Sequence, residues 1–342
     1  MRIGITYNLK SDLASIPGLC LPDDAAEEFD LPETIEALQK VLEEEGHEVF
    51  PLGGDLTIIE KLREGNIDFV FNIAEGFRGR NRESQIPALL ELVGIPYSGS
   101  DPLGLALTLD KALAKRVATS LGIPTPEFWV VGEPQEAQEI PNRFPLFVKP
   151  LWQGSSKGIQ KTSRVEDGTQ LNQEISRLFK DYPREPVLVE DYIAGREFTV
   201  GLVGNDPPEI IGIMEISPRN SAEKDFFYSL EAKRNWRALV EYHYPPDLAP
   251  QVEEGIQKAA LRLFKVLGLR DVARFDFRLN PEGKFYFLEA NPLPGLSPES
   301  GDLVILAQKK GWSYQELILK IIKTAILRYP QLVDLKEIKI KP

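Results

Sequence analysis

Sulfur and imidazole are scarce in this chain. Its 342 residues include one cysteine, Cys20, and two histidines, His47 and His243. A lone cysteine excludes an intrachain disulfide, so nothing points to an oxidising compartment. Three soft ligands in all are too few for an ordinary zinc site. No apolar run reaches the ~18 residues of a membrane span, and the opening MRIGITYNLKSD lacks the apolar stretch of a signal peptide. Positive charge is also short: 40 Lys plus Arg face 52 Asp plus Glu, a net charge of −12. A non-specific binder of nucleic-acid backbones needs the opposite balance. Two phosphate-binding signatures are missing as well. There is no G-x-G-x-x-G, and the single Gly-Lys pair, Gly283-Lys284, runs into Phe285 rather than completing a Walker A loop. A soluble cytoplasmic protein without nucleic-acid or membrane partners is the expectation.

What is present has the balance of a globular protein, 42% apolar and 27% charged. The length implies roughly two to three domains. Strand-like RIGITY (2–7), a helix over 32–46, a strand near 47–51, DFVFNIA (68–74) and a helix over 85–94 alternate as in a parallel sheet covered by helices. We read residues 1–120 as one α/β domain. Strands at 146–150, 187–193 and 197–203 and a helix at 166–181 form a central lobe, 121–203. A third lobe, 204–342, carries strands at 209–216, 271–279 and 284–291, with helices at 248–267, 301–310 and 313–328. Residues 217–240 are charged, aromatic and aperiodic, as in a mobile functional loop. No internal repeat or low-complexity tract is visible.

The segment 271–291 repays arithmetic. If its turn centres between Glu282 and Gly283, opposed residues sum to 565. Phe275 then faces Ala290, Phe277 faces Leu288 and Leu279 faces Tyr286, an apolar side that belongs in the core. Arg274 faces Asn291 and Asp276 faces Glu289 on the other side, since side chains alternate along a strand. Directly opposed carboxylates repel by up to about 1 kcal/mol. A hard cation between them, Mg²⁺ above all, relieves that repulsion; a solvated polar face neutralised by Arg274 is the other reading.

Lys149 ends a strand just before Gly154-Ser155-Ser156-Lys157-Gly158, where small residues let backbone N–H groups approach a phosphate. Those five residues also match G-x-S-x-G, the nucleophile elbow of serine hydrolases. That chemistry needs His243 as base and a helix immediately after the serine, where IQKTSRV reads as extended.

FVKP with QGSSKGI, then VLVEDYIAGREF, ARFDFRL and FLEANPLPGLSPES, in this order, resemble the ATP-grasp superfamily and, within it, the D-alanine–D-alanine ligase group. IPYSGSDPLGLALTLDK (95–111) and GWSYQELI (311–318) extend the likeness over about residues 68–328. The resemblance implies ATP held between two lobes formed around antiparallel sheets. Lys111, Lys149 and Ser156 would contact its phosphates. Glu190, the backbone at Ile193 and Leu288 would surround adenine, and Glu197 would hold the ribose. Asp276, Glu289 and Asn291 would bind two Mg²⁺, for which Mn²⁺ could substitute. A carboxylate would be activated as an acyl phosphate and attacked by an amine, with Arg274 and the Gly295 amide stabilising the tetrahedral oxyanion. Lys233 would close over the phosphates from a lid at 217–240, Ser155 would match the catalytic serine to which the family's lid tyrosine hydrogen-bonds, and Ser300 and Gly301 would hold the second substrate's carboxylate. A homodimer is also implied.

The departures fall in the amino-acid half. The glycine- and serine-containing N-terminal loop is replaced by YNLKSD, where Asp12 lies near the acid expected to hold the substrate ammonium. Arg234 stands where the family has tyrosine, and NIAEGFRGRNRESQ brings Arg78, Arg80 and Arg82. These arginines raise the prospect of a different amino-acid substrate or an anionic acceptor. A regulatory protein that binds nucleotide without turnover is the alternative from another class.

Overall fold

The computed structural model describes residues 1–14, 21–183, 185–220 and 226–332, so Cys20 lies outside the described residues. Three sheets organise them. In the first, β1 (Arg2–Thr6) lies between β2 (Glu48–Pro51) and β3 (Phe69–Asn72), all parallel. The helix Pro32–Glu44 covers it, with Pro32 in the first turn and Ile35, Leu38, Val41 and Leu42 buried at helical spacing. Two neighbouring helices, Pro102–Leu109 and Lys111–Ser120, escaped the periodicity reading. Each is announced instead by an aspartate cap: Asp101 accepts from the Gly104 amide (2.9 Å) and Asp110 from the Leu113 amide (3.0 Å).

The second sheet is antiparallel, with β4 (Phe128–Val131), β5 (Leu146–Pro150), β6 (Arg164–Val165) and β7 (Val187–Asp191) in the order β4-β7-β5-β6. The amphipathic helix Gly168–Asp181 packs Leu171, Ile175 and Leu178 onto it. The third sheet is also antiparallel. It has the order β10-β9-β8-β11-β12, built from β8 (Arg196–Val203), β9 (Glu209–Pro218), β10 (Val240–His243), β11 (Val272–Leu279) and β12 (Phe285–Asn291). Strand β8 was grouped by sequence with residues 121–203, but it pairs along its whole length with β11 in this third sheet.

One face of the third sheet packs Phe275, Phe277 and Phe287 against the helix Pro250–Val266; the helices Asp302–Lys310 and Tyr314–Ile326 cover the other face. The 565 rule holds for Arg274–Asn291, Phe275–Ala290 and Asp276–Glu289, and then fails. A bulge follows Asp276, so Phe277 faces Phe287 and Leu279 faces Phe285. The correction is physical. Phe287 takes the core position, tilted against Phe275 and edge-on to Phe277, while Leu288 is released to line a cavity. The described residues of 217–240 hold more regular structure than their composition implies. Strand β9 runs to Pro218, two short helices span Leu230–Arg234 and Trp236–Leu239, and residues 221–225 lie outside the described set. No helix among the described residues is long and apolar enough to cross a membrane.

Candidate active site

Two connected cavities open between the sheets. The smaller, of about 90 Å³, is lined by Lys149 of β5, Glu190 of β7, Ile193, Glu197 of β8 and Leu288 of β12, together with Lys111 and Ser156. Its centre is an ion-paired triad. The Glu190 carboxylate receives Lys149 Nζ at 2.6 Å and Lys115 Nζ at 2.8 Å, all three being buried. Burial alone would raise Glu190, but the two lysines outweigh it and hold the carboxyl at about 2. Lys115, which no motif singled out, is pushed down to about 8 by burial against the pull of Glu190. Lys111 occupies the first turn of its helix, donates to the Gln153 carbonyl and stands 3.8 Å from Glu289.

A roof closes this cavity. Arg278 donates to the carbonyls of Gly195 and Phe226 (both 2.9 Å) and to Glu197 (3.3 Å), which also accepts from the Tyr228 amide (3.4 Å). Ser156 Oγ donates to the Tyr228 carbonyl at 2.7 Å, and Phe227 meets Phe147 edge-on at 5.1 Å. Ser155 and Ser156 both adopt positive φ, 50° and 58°, a strained pair that turns the loop over the cavity.

At the junction of the cavities the β11–β12 pair presents Arg274, Asp276, Glu289 and Asn291, as the register predicts. Arg274 forks onto Asp276 (3.1 and 2.9 Å) and reaches Asp302 at 3.1 Å. Asp276 also accepts from Thr199 (2.8 Å) and Asn291 Nδ2 (3.0 Å). Burial raises Asp276, opposed by Arg274 and reinforced by Glu289; burial works the same way on Glu289, but Lys111 and Lys149 overcome it and hold Glu289 low. The donors are carboxylate and amide oxygens only. Asn291 spends its NH₂ on Asp276 and keeps its oxygen for another partner. This set fits a hard divalent ion.

The larger cavity, of about 400 Å³, contains Ser155, Lys233, Arg234, Gly295, Ser300 and Gly301. Lys233 is lowered by burial, with Arg274 adding to that and Asp302 opposing it. Gly301 must be glycine, because a Cβ there would sit 2.3 Å from the Gly295 carbonyl oxygen. Its amide is already committed to Ser297 (3.1 Å).

Two expectations need correction here. Asp12 lines neither cavity; it is exposed and caps the Leu9 amide at 2.7 Å. Three of the four arginines already have carboxylate partners. Arg234 pairs with Glu27 (2.8 Å) and Asp23 (3.2 Å), Arg82 with Glu28 (2.7 Å) and Arg80 with Asp110 (3.4 Å), while Arg78 lies over the Phe77 ring.

The residue that sequence reasoning missed is Glu28. It is buried and accepts from Arg82, Lys157 (3.0 Å) and the Gly154 amide, fastening segment 21–30 to the serine loop. Asp24 adds bonds to the Gly158 amide (2.7 Å) and Tyr182 (2.6 Å). No local pattern marks contacts that span more than 120 positions. The hydrolase reading lapses: after Ser156 come a short 3₁₀ turn (Lys161–Ser163) and β6, not a helix, and His243 bonds Ser217 on an exposed edge.

Comparison with known proteins follows this geometry. The family model described as D-ala D-ala ligase C-terminus matches residues 117–323. The chain is 35% identical over 290 residues to the D-alanine–D-alanine ligase of Aquifex aeolicus, covering 84% of this chain and 93% of that one. It is 36% identical over 301 residues to the uncharacterized protein y4sG of Sinorhizobium fredii, covering 84% and 86%. Its fold matches the crystal structure of Bacillus anthracis D-alanine–D-alanine ligase complexed with ATP at TM-score 0.72, with 25% identity over 97% of this chain and 99% of that one. The chain therefore belongs to the D-alanine–D-alanine ligase family of ATP-grasp enzymes, ATP-dependent ligases that form a peptide bond.

Proposed function

We propose that this enzyme joins two small amino acids through an acyl phosphate, with ATP in the smaller cavity and both amino acids in the larger. The observation that carries this reading is the junction itself, where Arg274, Asp276, Glu289, Lys111 and Lys233 converge between the two spaces. In this reading Lys111 and Lys149 neutralise the phosphates, Glu197 accepts from the ribose hydroxyls, and Glu190 with the Ile193 backbone faces the base. Mg²⁺ held by Asp276, Glu289 and Asn291 would screen the phosphate charge during transfer. Arg274 and the Gly295 amide meet the oxyanion, and Ser300 orients the acceptor carboxylate beside Gly301, whose amide would have to leave Ser297 to take part. Lys233 approaches from the roof, which also keeps water from the acyl phosphate. A regulatory nucleotide sensor has no use for a buried arginine beside an oxyanion amide.

The smaller cavity is tight for a nucleotide, so the roof at 226–230 must lift to admit ATP, breaking the contacts of Arg278 and Ser156. We place the border between the two ATP-holding lobes at Asp191–Arg196, where β7 ends and β8 begins. The enzyme would work in the cytoplasm as a homodimer. The substrates need not both be D-alanine, since Arg234 stands where the family has tyrosine and YNLKSD replaces its N-terminal loop. With Arg80, Arg82 and Arg234 ion-paired, Arg78 is left as the arginine to favour an anionic acceptor. The test is phosphate release and product mass for ATP, Mg²⁺ and a panel of D- and L-amino acids, singly and in pairs. A D-alanine dipeptide or another dipeptide supports the reading; phosphate release indifferent to every amino acid rejects it.

A further inference from the structure

Behind Gly295 the larger cavity continues into a blind pocket of about 30 Å³, bounded by Asp30, Glu75, Asn72 and the turn Pro292–Leu296. Three features set it apart from the rest of the crevice. Asp30 is held in place by its own backbone, which exchanges hydrogen bonds with Asn8 (2.9 Å) and Lys10 (3.1 Å), yet its carboxyl has no hydrogen-bonded or ion-paired partner among the described residues. Glu75 shares a hydrogen bond with Glu83, and the nearest arginine, Arg82, is committed to Glu28 at 2.7 Å and only 3.9 Å from Glu83. Asn72 is 3% exposed, and its Nδ2 has no acceptor. The amide cannot be turned to cure this, because its Oδ1 accepts from Thr6 Oγ1 (2.7 Å) and the Ala74 amide (3.3 Å). An orphaned buried NH₂ group costs roughly 1–3 kcal/mol and is uncommon enough to ask what fills the need.

Resting on the ligase reading above, we propose that this pocket receives the side chain of the amino acid that is activated. That side chain is short, uncharged and hydrogen-bonding, a hydroxyl or a carboxamide. Its oxygen accepts from Asn72, and its O–H or N–H donates to Asp30 or Glu75. The volume agrees. A single water needs about 10–15 Å³ of such space, so the pocket holds one or two atoms beyond Cβ and no long chain. A methyl group leaves the Asn72 NH₂ and the Asp30 carboxyl without a partner. A carboxylate side chain meets Asp30, Glu75 and Glu83 with no free cation to offset them. Burial raises Asp30 to about 7 against the pull of Lys10, and burial with the neighbouring Glu83 and Glu28 raises Glu75 well above the usual carboxylate range, so both can present a neutral carboxyl to a neutral side chain.

The experiment is a kcat/KM ranking of the first substrate in wild-type enzyme, using alanine, serine, asparagine and aspartate in both configurations with ATP and Mg²⁺. Within the configuration that reacts, serine or asparagine should exceed alanine by tenfold or more, and aspartate should fall at least a hundredfold below them. Asn72→Asp keeps the Thr6 and Ala74 contacts and removes the donor, so it should shrink the advantage over alanine to threefold or less. Glu75→Gln serves as the second variant, and the wild-type ranking stands if neither variant folds. Alanine equal to or better than serine and asparagine overturns the proposal while leaving the ligase reading intact; the pocket then holds water only. Silence with every amino acid overturns both.

Discussion

The two halves of the crevice treat buried charge differently. On the nucleotide side Glu190 has two lysines, Glu197 has Arg278 and Glu289 has Lys111. On the amino-acid side Arg82 is shared between Glu28 and Glu83, and neither Asp30 nor Glu75 has an ion-paired cation among the described residues, Lys10 and Arg82 acting on them only from a distance. A nucleotide brings the same phosphates every time, so its pocket can be matched in advance. Unmatched groups in the other half mark where a more particular ligand completes the set.

The largest effects should follow from breaking the junction. Asp276→Asn or Glu289→Gln should lower amino-acid-dependent phosphate release by a thousandfold or more, and Arg274→Ala by at least a hundredfold. If either carboxamide variant turns over normally, the metal assignment fails and the repulsion between the two acids needs another explanation.

Glu28 tests whether the halves are mechanically joined. Replacing it with Gln leaves Arg82 and Lys157 buried without their anion, a loss of about 3–5 kcal/mol in stability. The sign with pH is fixed by its depressed folded-state value, about 2 against an ordinary 4.5: burial opposes the shift, and Arg82 and Lys157 produce it. Its contribution is complete above pH 4.5 and disappears as pH falls toward 2. The melting-temperature gap between wild type and Glu28→Gln should therefore close over that interval. A gap that persists at pH 2 would assign the effect to packing.

Arg278 separates the halves kinetically. Arg278→Gln releases the Phe226 carbonyl and leaves Glu197 unpaired, so KM for ATP should rise about tenfold while KM for the amino acids stays within twofold. Arg278→Lys should recover part of the loss. A change confined to amino-acid KM would move Arg278 to the other side of the comparison.

The same division governs how much was legible in the sequence. β-strand alternation put Arg274 with Asp276 and Glu289 with Asn291 on one face of each strand, and the assumed turn opposed the two pairs; the register next to that turn is one residue off, and the bulge after Asp276 restores it. The bulge at Asp276–Phe277 was invisible, since Phe287 and Leu288 are both apolar and only packing decides which of them enters the core. Lys149 and the serine loop announced themselves by composition, and Pro32 by its place in a first turn. Lys115 did not, being one of many lysines in a helix until Glu190 meets it across the fold. The amino-acid half depends on segment 21–30 folding back onto residues 154–158, a contact set by tertiary geometry. Asp12 falls near the acid that the family resemblance expects to hold the substrate ammonium, and its carboxylate instead accepts from the Leu9 amide.

The smallest expected effect tests the unmatched half directly. Asp30 is a half-buried acid with a raised folded-state value, so the folded protein binds a proton there more tightly than the unfolded chain does. Its burial is harmless at low pH. It becomes a liability as pH rises from the ordinary 3.8 through about 7, where the folded state must ionise it beside Glu75 with only Lys10 nearby. Asp30→Asn removes that liability, so the variant should melt a few degrees above wild type at pH 8 and level with it at pH 4. The same variant should bind its first substrate more weakly at either pH. Greater stability at pH 8 with weaker binding is the pattern expected of a group kept for its ligand rather than for the fold. If Asp30→Asn instead lowers the melting temperature at pH 8, the carboxylate has found its counter-charge within the protein, and the contrast between the two halves no longer holds at that residue.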